Sequence, residues 1–329
     1  MKKVFFITGG AGFIGSHTCR YIIKNIPDAN VVVLDNFARY QDPFEQDNQN
    51  FYDLRFKNIK KRIFFERGDA QNFSVVFDCL KKYKPTYIIH LAAVPVAKTN
   101  NLNSFEMKAG SIDTTSCLIE ICAKLIHQKS ISLKKFVYIS SSMVYGDFKK
   151  KIADEDHPLN PKEIYGTMKL SGEIVTRGLC NFYSIPFSII RPSAVYGPTD
   201  MNRRVSQIFI DRALNNQKII INGKNESLDF TYVEDLAQGI VLATINPKSI
   251  NDTFNITYGK SRKLIDFIKI LENNVGKINY EIKGRDEFRP KRGTLGIKKA
   301  KKIINYSPKY PLELGIKKYL KFFKENKID

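Results

Sequence analysis

The sequence predicts an α/β protein, built on a doubly wound parallel sheet with a smaller α/β region toward its C-terminal end. Three observations predict it. Short apolar, β-branched runs alternate with longer helical patterns through the first half. Those runs are apolar at nearly every position, as expected of strands covered by helices on both faces. A glycine-rich turn, Thr8-Gly9-Gly10-Ala11-Gly12-Phe13-Ile14-Gly15, joins the first run to the first helix.

Taken in order, strands are expected at residues 4–8, 31–34, 63–66, 87–90, 136–140 and 187–191. Helices are expected between them at about 12–25, 72–83, 114–128 and 165–184. Such alternation gives parallel neighbours joined by right-handed crossovers, which leaves little topological choice. The rhythm breaks after Pro192, where Pro198 and the polar stretch 200–204 precede a helix at about 205–215. A strand pair is expected between 219–222 and 230–233, then a helix at 233–244 and a strand at 254–257. The rest reads as helix and loop with a basic tail. The domain boundary is accordingly set at 1–191 and 192–329, with 228–258 packing back onto the first part. No internal repeat or low-complexity linker separates the two, so a ligand crevice is expected between them.

The bulk composition narrows the function classes. With 329 residues, 43% hydrophobic and 26% charged, the chain has the balance of a soluble globular protein. Its net charge of +20 fits nucleic acid, an anionic membrane surface or an anionic small substrate. The lysines are spread along the chain, however, which favours a compositional bias over a binding face. Cys19, Cys79, Cys117, Cys122 and Cys180 form no C-x-x-C pair and no Cys/His cluster of zinc spacing. No metal is expected, and scattered reduced thiols suit a cytoplasmic protein. The apolar run after Met1-Lys2-Lys3 stops at Thr8, too short for a signal peptide, and no stretch suits a membrane span.

The glycine-rich turn carries the first chemistry. Glycines there permit a tight turn and close backbone approach to a pyrophosphate, which the free N–H groups of the helix N-terminus then bind. The candidate residues are Gly9, Gly12, Phe13, Ile14 and Gly15. The second strand ends in Asp35, followed by Asn36. A carboxylate at that place accepts hydrogen bonds from both ribose hydroxyls and repels a 2′-phosphate, which favours NAD over NADP. Arg39 lies near enough in sequence to work against that preference. Two later strand ends fit the same ligand: Asp69 with Ala70, and Leu91-Ala92-Ala93. His90 reads as a packed strand-end histidine.

The second chemistry lies in Tyr165-Gly-Thr-Met-Lys169, whose i, i+4 spacing puts both side chains on one helix face. An ammonium beside a phenol favours phenolate, so the Tyr165 pKa is expected to fall toward neutral. Such a phenol exchanges a proton with a sugar hydroxyl while hydride moves to a nicotinamide. Ser140-Ser141-Ser142-Met143-Val144-Tyr145-Gly146, at an earlier strand end, supplies a serine to hold the same reacting oxygen.

Together these segments resemble the extended short-chain dehydrogenase/reductase family, in its NAD-dependent sugar-nucleotide epimerase/dehydratase group of UDP-glucose 4-epimerase-like enzymes. The resemblance rests on TGGAGFIG at 8–15, HLAA at 90–93, SSSMVYG at 140–146, YGTMK at 165–169, RPSAVYGP at 191–198 and LDFTYVEDLAQG at 228–239. RPKRGTL, Pro308 and LELG at 312–315 extend it over nearly the whole chain. It implies a Rossmann-like NAD-binding domain and a nucleoside diphosphate sugar bound mostly by the C-terminal part. It also implies Tyr165 as catalytic acid/base, Lys169 as its partner and nicotinamide-ribose ligand, and Ser141 as the third catalytic member, with Ser141 and Ser142 facing substrate. Homodimers are common in the family.

Departures from the family pattern bear on the reaction. Dehydratases of the group carry Asp-Glu where this chain has Ser142 and Met143, so a 4,6-dehydratase is disfavoured. Ser111 and Ala194 stand where Asn is usual, and Leu228 where an Arg often touches the substrate phosphate. Arg203, Arg204, Arg289 and Arg292 are the candidates to recover that contact, since a guanidinium binds phosphate bidentately. The expected reaction is oxidation at C4 of the sugar as the first half of a 4-epimerisation. The alternative is a net C4 dehydrogenase that releases a 4-keto sugar and NADH. Oxidative decarboxylation lacks an identifiable carboxylate-binding residue. An RNA-binding scaffold is disfavoured because Tyr165 and Lys169 are both kept and no RNA-reading motif is present.

Overall fold

The computed structural model describes residues 3–38, 51–94, 104–200 and 204–326. Seven strands form one parallel sheet: β1 (Val4–Thr8), β2 (Asn30–Asp35), β3 (Ile63–Arg67), β4 (Tyr87–His90), β5 (Lys135–Ile139), β6 (Phe187–Pro192) and β7 (Asp252–Ile256). Their spatial order is β3-β2-β1-β4-β5-β6-β7, and every adjacent pair is parallel. The order reverses between β1 and β4, which opens a crevice at the carboxyl ends of those strands.

Period-two geometry explains the double-sided apolar strands. Phe5 and Ile7 of β1 face one layer, with α1 (Phe13–Asn25) and Val233–Ile245 packed on it. Phe6 between them faces the other, covered by α2 (Phe73–Tyr83), α3 (Thr114–His127) and α4 (Ile164–Phe182). Beyond Pro192 come α5 (Val205–Leu214), α6 (Val233–Ile245), α7 (Leu264–Val275) and α8 (Leu312–Asn326). Phe209, Phe230, Phe267, Leu271, Ile316 and Tyr319 centre a separate core there.

The late strand β7 joins the main sheet beside β6, and α6 packs against α1. A buried ammonium fastens this return. Lys135 on β5 donates to the carbonyls of Ala243 (2.9 Å) and Asn246 (2.5 Å) and to Ser249 Oγ (2.6 Å). It thus caps the C-terminal end of α6, where the helix dipole favours a cation. Burial pulls the Lys135 amine down to about 8.

One expected pairing is overturned. Ile219–Asn222 pairs in parallel with Tyr280–Lys283, not with 230–233. Thr231–Tyr232 pairs in parallel with Val195–Tyr196, and Ser227–Leu228 pairs antiparallel with Arg262–Lys263. A parallel pair needs a crossover, and α7 supplies the one between 219–222 and 280–283. The strand at 280–283 was not expected, because its alternation of Tyr280, Glu281, Ile282 and Lys283 is only four residues long and lies at an exposed edge. Helix Ser104–Lys108 and the π-helical turn Ala109–Asp113 also went unread, since Gly110 and Ser111 interrupt the helical pattern ahead of α3.

Candidate active site

The glycine turn lies at the switch point between β1 and β4. Gly9 has φ +67°, and a Cβ there would stand 2.7 Å from the Ala92 nitrogen in the segment after β4. A Cβ on Gly15 would stand 2.5 Å from the Gly9 carbonyl oxygen. Both positions therefore require glycine, for conformation at the first and for close approach at both. Gly12 is the N-cap of α1, with no side-chain cap and no acidic residue in the first turn. The helix N-terminus keeps its amides and dipole for an external anion.

Around this turn a pocket is lined by Gly9, Gly12, Phe13, Ile14, Gly15, Asp35, Asn36, Asp69, Ala70, Leu91, Ala92 and Ala93. Those twelve are singled out from the sequence for the cofactor; Tyr165 and Lys169, assigned to it as well, are not among the lining residues. Asp35 accepts from the amides of Ala11 (2.9 Å) and Phe37 (2.8 Å), which aims its carboxylate along the pocket edge. Burial raises its pKa, against those two amides and the charge of Arg55. Asn36 donates to Asp69 at 3.1 Å and so ties the ends of β2 and β3 together. His90 is buried between Thr8 (2.6 Å) and Thr115 (3.1 Å), and burial pulls it down to about 3. Arg39 and Arg203 fall outside the described residues.

Three elements converge on the reacting position. Ser141 caps the short 3-10 turn Ser142–Tyr145 after β5, its Oγ accepting from the Met143 amide at 3.2 Å. Tyr165 stands in the first turn of α4, and Ser141 lies near enough to lower the pKa of its hydroxyl. Lys169, one turn on, is buried, and its Nζ donates to the Ile139 carbonyl at 2.9 Å beside the Tyr138 ring. Burial pulls this amine down to about 8, opposed by the nearby Glu173 carboxylate.

The expected fall of the Tyr165 pKa is not what the geometry gives. Burial raises it, outweighing the effects of the Arg204 charge and of Ser141. Helical spacing aligned the two side chains, but the Lys169 ammonium turns to the end of β5. Arg204, the N-cap of α5, is the cation that acts on Tyr165, and it also lines the glycine-turn pocket. Arg289 is half-buried and paired with Asp286 at 3.6 Å. Its charge and that of Arg292 act on Glu163, the N-cap of α4. Ser142 is buried, and so is Met143, whose carbonyl packs under Gly166. Leu228 is buried in the C-terminal core, and Ala194 holds a left-handed φ of +38°, a conformation Asn tolerates better than Ala.

Two supports went unread. Arg191 on β6 is fully buried and grips Glu173 of α4 bidentately, at 2.8 and 2.7 Å. Ser140 donates to the same carboxylate at 2.5 Å, so the turn that carries Ser141 hangs on this pair. The signal existed, since Tyr165, Lys169 and Glu173 recur at every fourth residue. The other support is Arg55, in the short helix Tyr52–Phe56. It donates to the carbonyls of Ala11 (2.9 Å) and Thr199 (2.7 Å), bridging the glycine turn to the segment before Arg204.

The model of the NAD-dependent epimerase/dehydratase family matches residues 5–257, which holds both the pocket and the Ser141–Tyr165–Lys169 group. The chain belongs to that family. It is an NAD-dependent nucleotide-sugar enzyme of the short-chain dehydrogenase/reductase type. A putative UDP-glucose 4-epimerase of Methanocaldococcus jannaschii is 31% identical over 340 residues, covering 98% of this chain and 99% of the relative. The dTDP-D-glucose 4,6-dehydratase of Homo sapiens is 25% identical over 337 residues, covering 98% and 91%. The crystal structure of UDP-glucuronic acid 4-epimerase from Bacillus cereus, in complex with UDP-glucuronic acid and NAD, superposes with a TM-score of 0.87. It shares 29% identity and covers 98% of this chain and 99% of that one. The residues of this epimerase/dehydratase-family chain fit NAD, the family's cofactor. The glycine cradle a Cβ would fill and the uncapped α1 N-terminus suit the pyrophosphate, and Asp35 suits the ribose hydroxyls. Among the described residues no helix is long and apolar enough to cross a membrane.

Proposed function

We propose that the chain oxidises the C4 hydroxyl of a nucleoside diphosphate sugar as the first half of a 4-epimerisation. The observation that carries this reading is that Ser141 and Arg204 both act on the Tyr165 phenol, while Arg204 also lines the glycine-turn pocket. Ser141 holds the substrate oxygen, and Tyr165 takes its proton and later returns it. NAD, when bound, supplies the acceptor for the C4 hydride. Burial opposes the phenolate, so the Arg204 charge is needed to stabilise it. The 4-keto sugar then turns and is reduced on its other face. Ser142 and Met143 carry no acid or base for eliminating water, which speaks against the dehydratase course of some relatives.

The cofactor part comprises residues 1–191, with 228–258 packed back on it, and the sugar nucleotide is held mainly by 192–329. Arg204 and Arg289 bind its diphosphate. We place the enzyme in the cytoplasm, in keeping with its five free cysteines. A homodimer covers exposed apolar side chains on α4 and the helix before α3, namely Ile174, Phe182 and Phe105. Light scattering showing a monomer at micromolar concentration would remove that assignment.

The reaction is tested with the UDP and dTDP hexoses, following C4 configuration by NMR and reduced nicotinamide by absorbance. Inversion at C4 without net NADH is expected. NADH accumulating in step with a 4-keto product would replace the epimerase by a dehydrogenase.

A further inference from the structure

Glu163 is a half-buried carboxylate to which the proposed function gives no work. It is the N-cap of α4, two residues ahead of Tyr165, and its Oε1 accepts from the Gly166 amide at 3.1 Å. Its Oε2 is buried and has no hydrogen-bond partner among the described residues. Across from it runs the strap 285–294. That strap is fastened over the start of α4 by Lys291 N to Asp147 at 2.6 Å and by Phe148 N to the Lys291 carbonyl at 2.8 Å. Asp147 in turn pairs with Lys162, the neighbour of Glu163, at 3.1 Å. Within the strap Arg292 has its main chain held by Ser227 at 3.2 Å, while its Nε is also buried and unpartnered.

Two orphaned polar atoms of opposite character thus lie in one buried region beside the reacting tyrosine, one an acceptor and one a donor. Each acts electrostatically on the other: the Arg292 and Arg289 charges lower the Glu163 pKa, which burial raises, and Glu163 raises that of Arg292. Buried polar atoms left unpaired are costly, so a ligand that satisfies both is strongly favoured. A hydroxyl does so, donating its proton to Oε2 while its oxygen accepts from Nε. A carboxylate does not. It can accept from Nε, but it has no proton to offer Oε2 and brings two like charges together in a desolvated site.

We propose that Glu163 and Arg292 form a polar subsite for the exocyclic hydroxyl next to C4, and that Glu163 makes the enzyme select neutral hexoses over uronic acids. This rests on the C4 reading above. C4 is flanked by C3 and by C5 with its exocyclic C6, and the C6 hydroxymethyl turns freely enough to meet two partners held on different elements. Replacing its hydroxyl by a carboxylate is the one change that Glu163 opposes by charge.

The test compares kcat/KM for UDP-glucose with that for UDP-glucuronic acid, in the full-length wild type and in Glu163→Gln. A Gln can still cap α4 through its carbonyl and can donate to a carboxylate. The wild type is expected to prefer the hexose by about 100-fold, and the variant to narrow that ratio by about 10-fold or more, mostly by gaining the uronate. In the wild type alone, the ratio should also narrow as the pH is lowered and Glu163 takes up a proton; mere loss of a cap would not give that dependence. Equal use of the two sugars by the wild type, or a ratio that Glu163→Gln leaves unchanged, would overturn the proposal. Should Glu163→Gln fold poorly, Glu163→Asn, a strong N-cap residue, replaces it. If the wild type converts neither sugar nor any other UDP or dTDP hexose, the C4 reading has failed. Calorimetric binding of the same two probes still decides selectivity, and equal affinities overturn it.

Discussion

The cofactor side and the sugar side of this active site are built by different means. The cofactor side is made of main chain: glycines without a Cβ, an uncapped helix start, and strand ends held in a parallel sheet. The proposed sugar side is made of charged side chains, Arg204, Arg289, Arg292 and Glu163, carried on helix caps and a strap. A main-chain site is rigid and changes only at the cost of the fold. A side-chain site can be altered with little effect on stability, which is how one scaffold comes to serve many sugars.

Substitutions separate the two kinds of site. The largest effect is expected at their seam. Tyr165→Phe should lower kcat by roughly a thousandfold or more while NAD stays bound, measured by turnover and by cofactor content after purification. Full activity in the variant would remove Tyr165 as the acid/base. On the cofactor side, Gly9→Ala puts a Cβ 2.7 Å from the Ala92 nitrogen at positive φ. It should cost about 2–4 kcal/mol of stability and NAD affinity together, read by thermal melts with and without cofactor. An unchanged melting temperature would mean that the loop yields, and the contrast drawn above would lose its basis. On the sugar side, Arg292→Met should raise the KM for the sugar nucleotide by about tenfold or more, with the melting temperature moved by only a few degrees. A loss of stability as large as that of Gly9→Ala would make the strap a structural part and not a binding one.

The same division decides what could be read from the amino acids. Gly9, Gly15 and Asp35 are legible because their task is local: a turn, a close approach, a strand end followed by an amide. The strands of the main sheet are legible because β1 to β6 are apolar on both faces. The partner of Ile219–Asn222 was not, since a parallel pairing reaches across a helix to an exposed edge at Tyr280–Lys283. Arg55 was missed because its partners, the carbonyls of Ala11 and Thr199, are defined only once the chain has folded. Tyr165 and Lys169 were found by spacing, but spacing does not say where an ammonium points. Lys169 points to Ile139, and burial then decides the phenol.

Lys135 carries a consequence for how the molecule can be divided. Its ammonium is satisfied only by Ala243, Asn246 and Ser249, which lie in the chain beyond Pro192, and β7 closes the open edge of β6 from the same stretch. A fragment that ends at residue 191 would keep the whole glycine turn, yet it would lose the cover over Lys135 and over the face of Phe5 and Ile7, and leave Phe187–Pro192 as a bare hydrophobic sheet edge. Such a fragment is expected to aggregate or to unfold without a cooperative transition, whereas one that rejoined 228–258 through a short linker should melt cooperatively and bind NAD. A cooperative melt of the 1–191 fragment alone would show the late segment to be dispensable. On the division proposed above, the nucleotide-binding part is discontinuous in the chain: a recombination event that exchanged the sugar-binding part alone would need three crossovers, at 191/192, 227/228 and 258/259, not one.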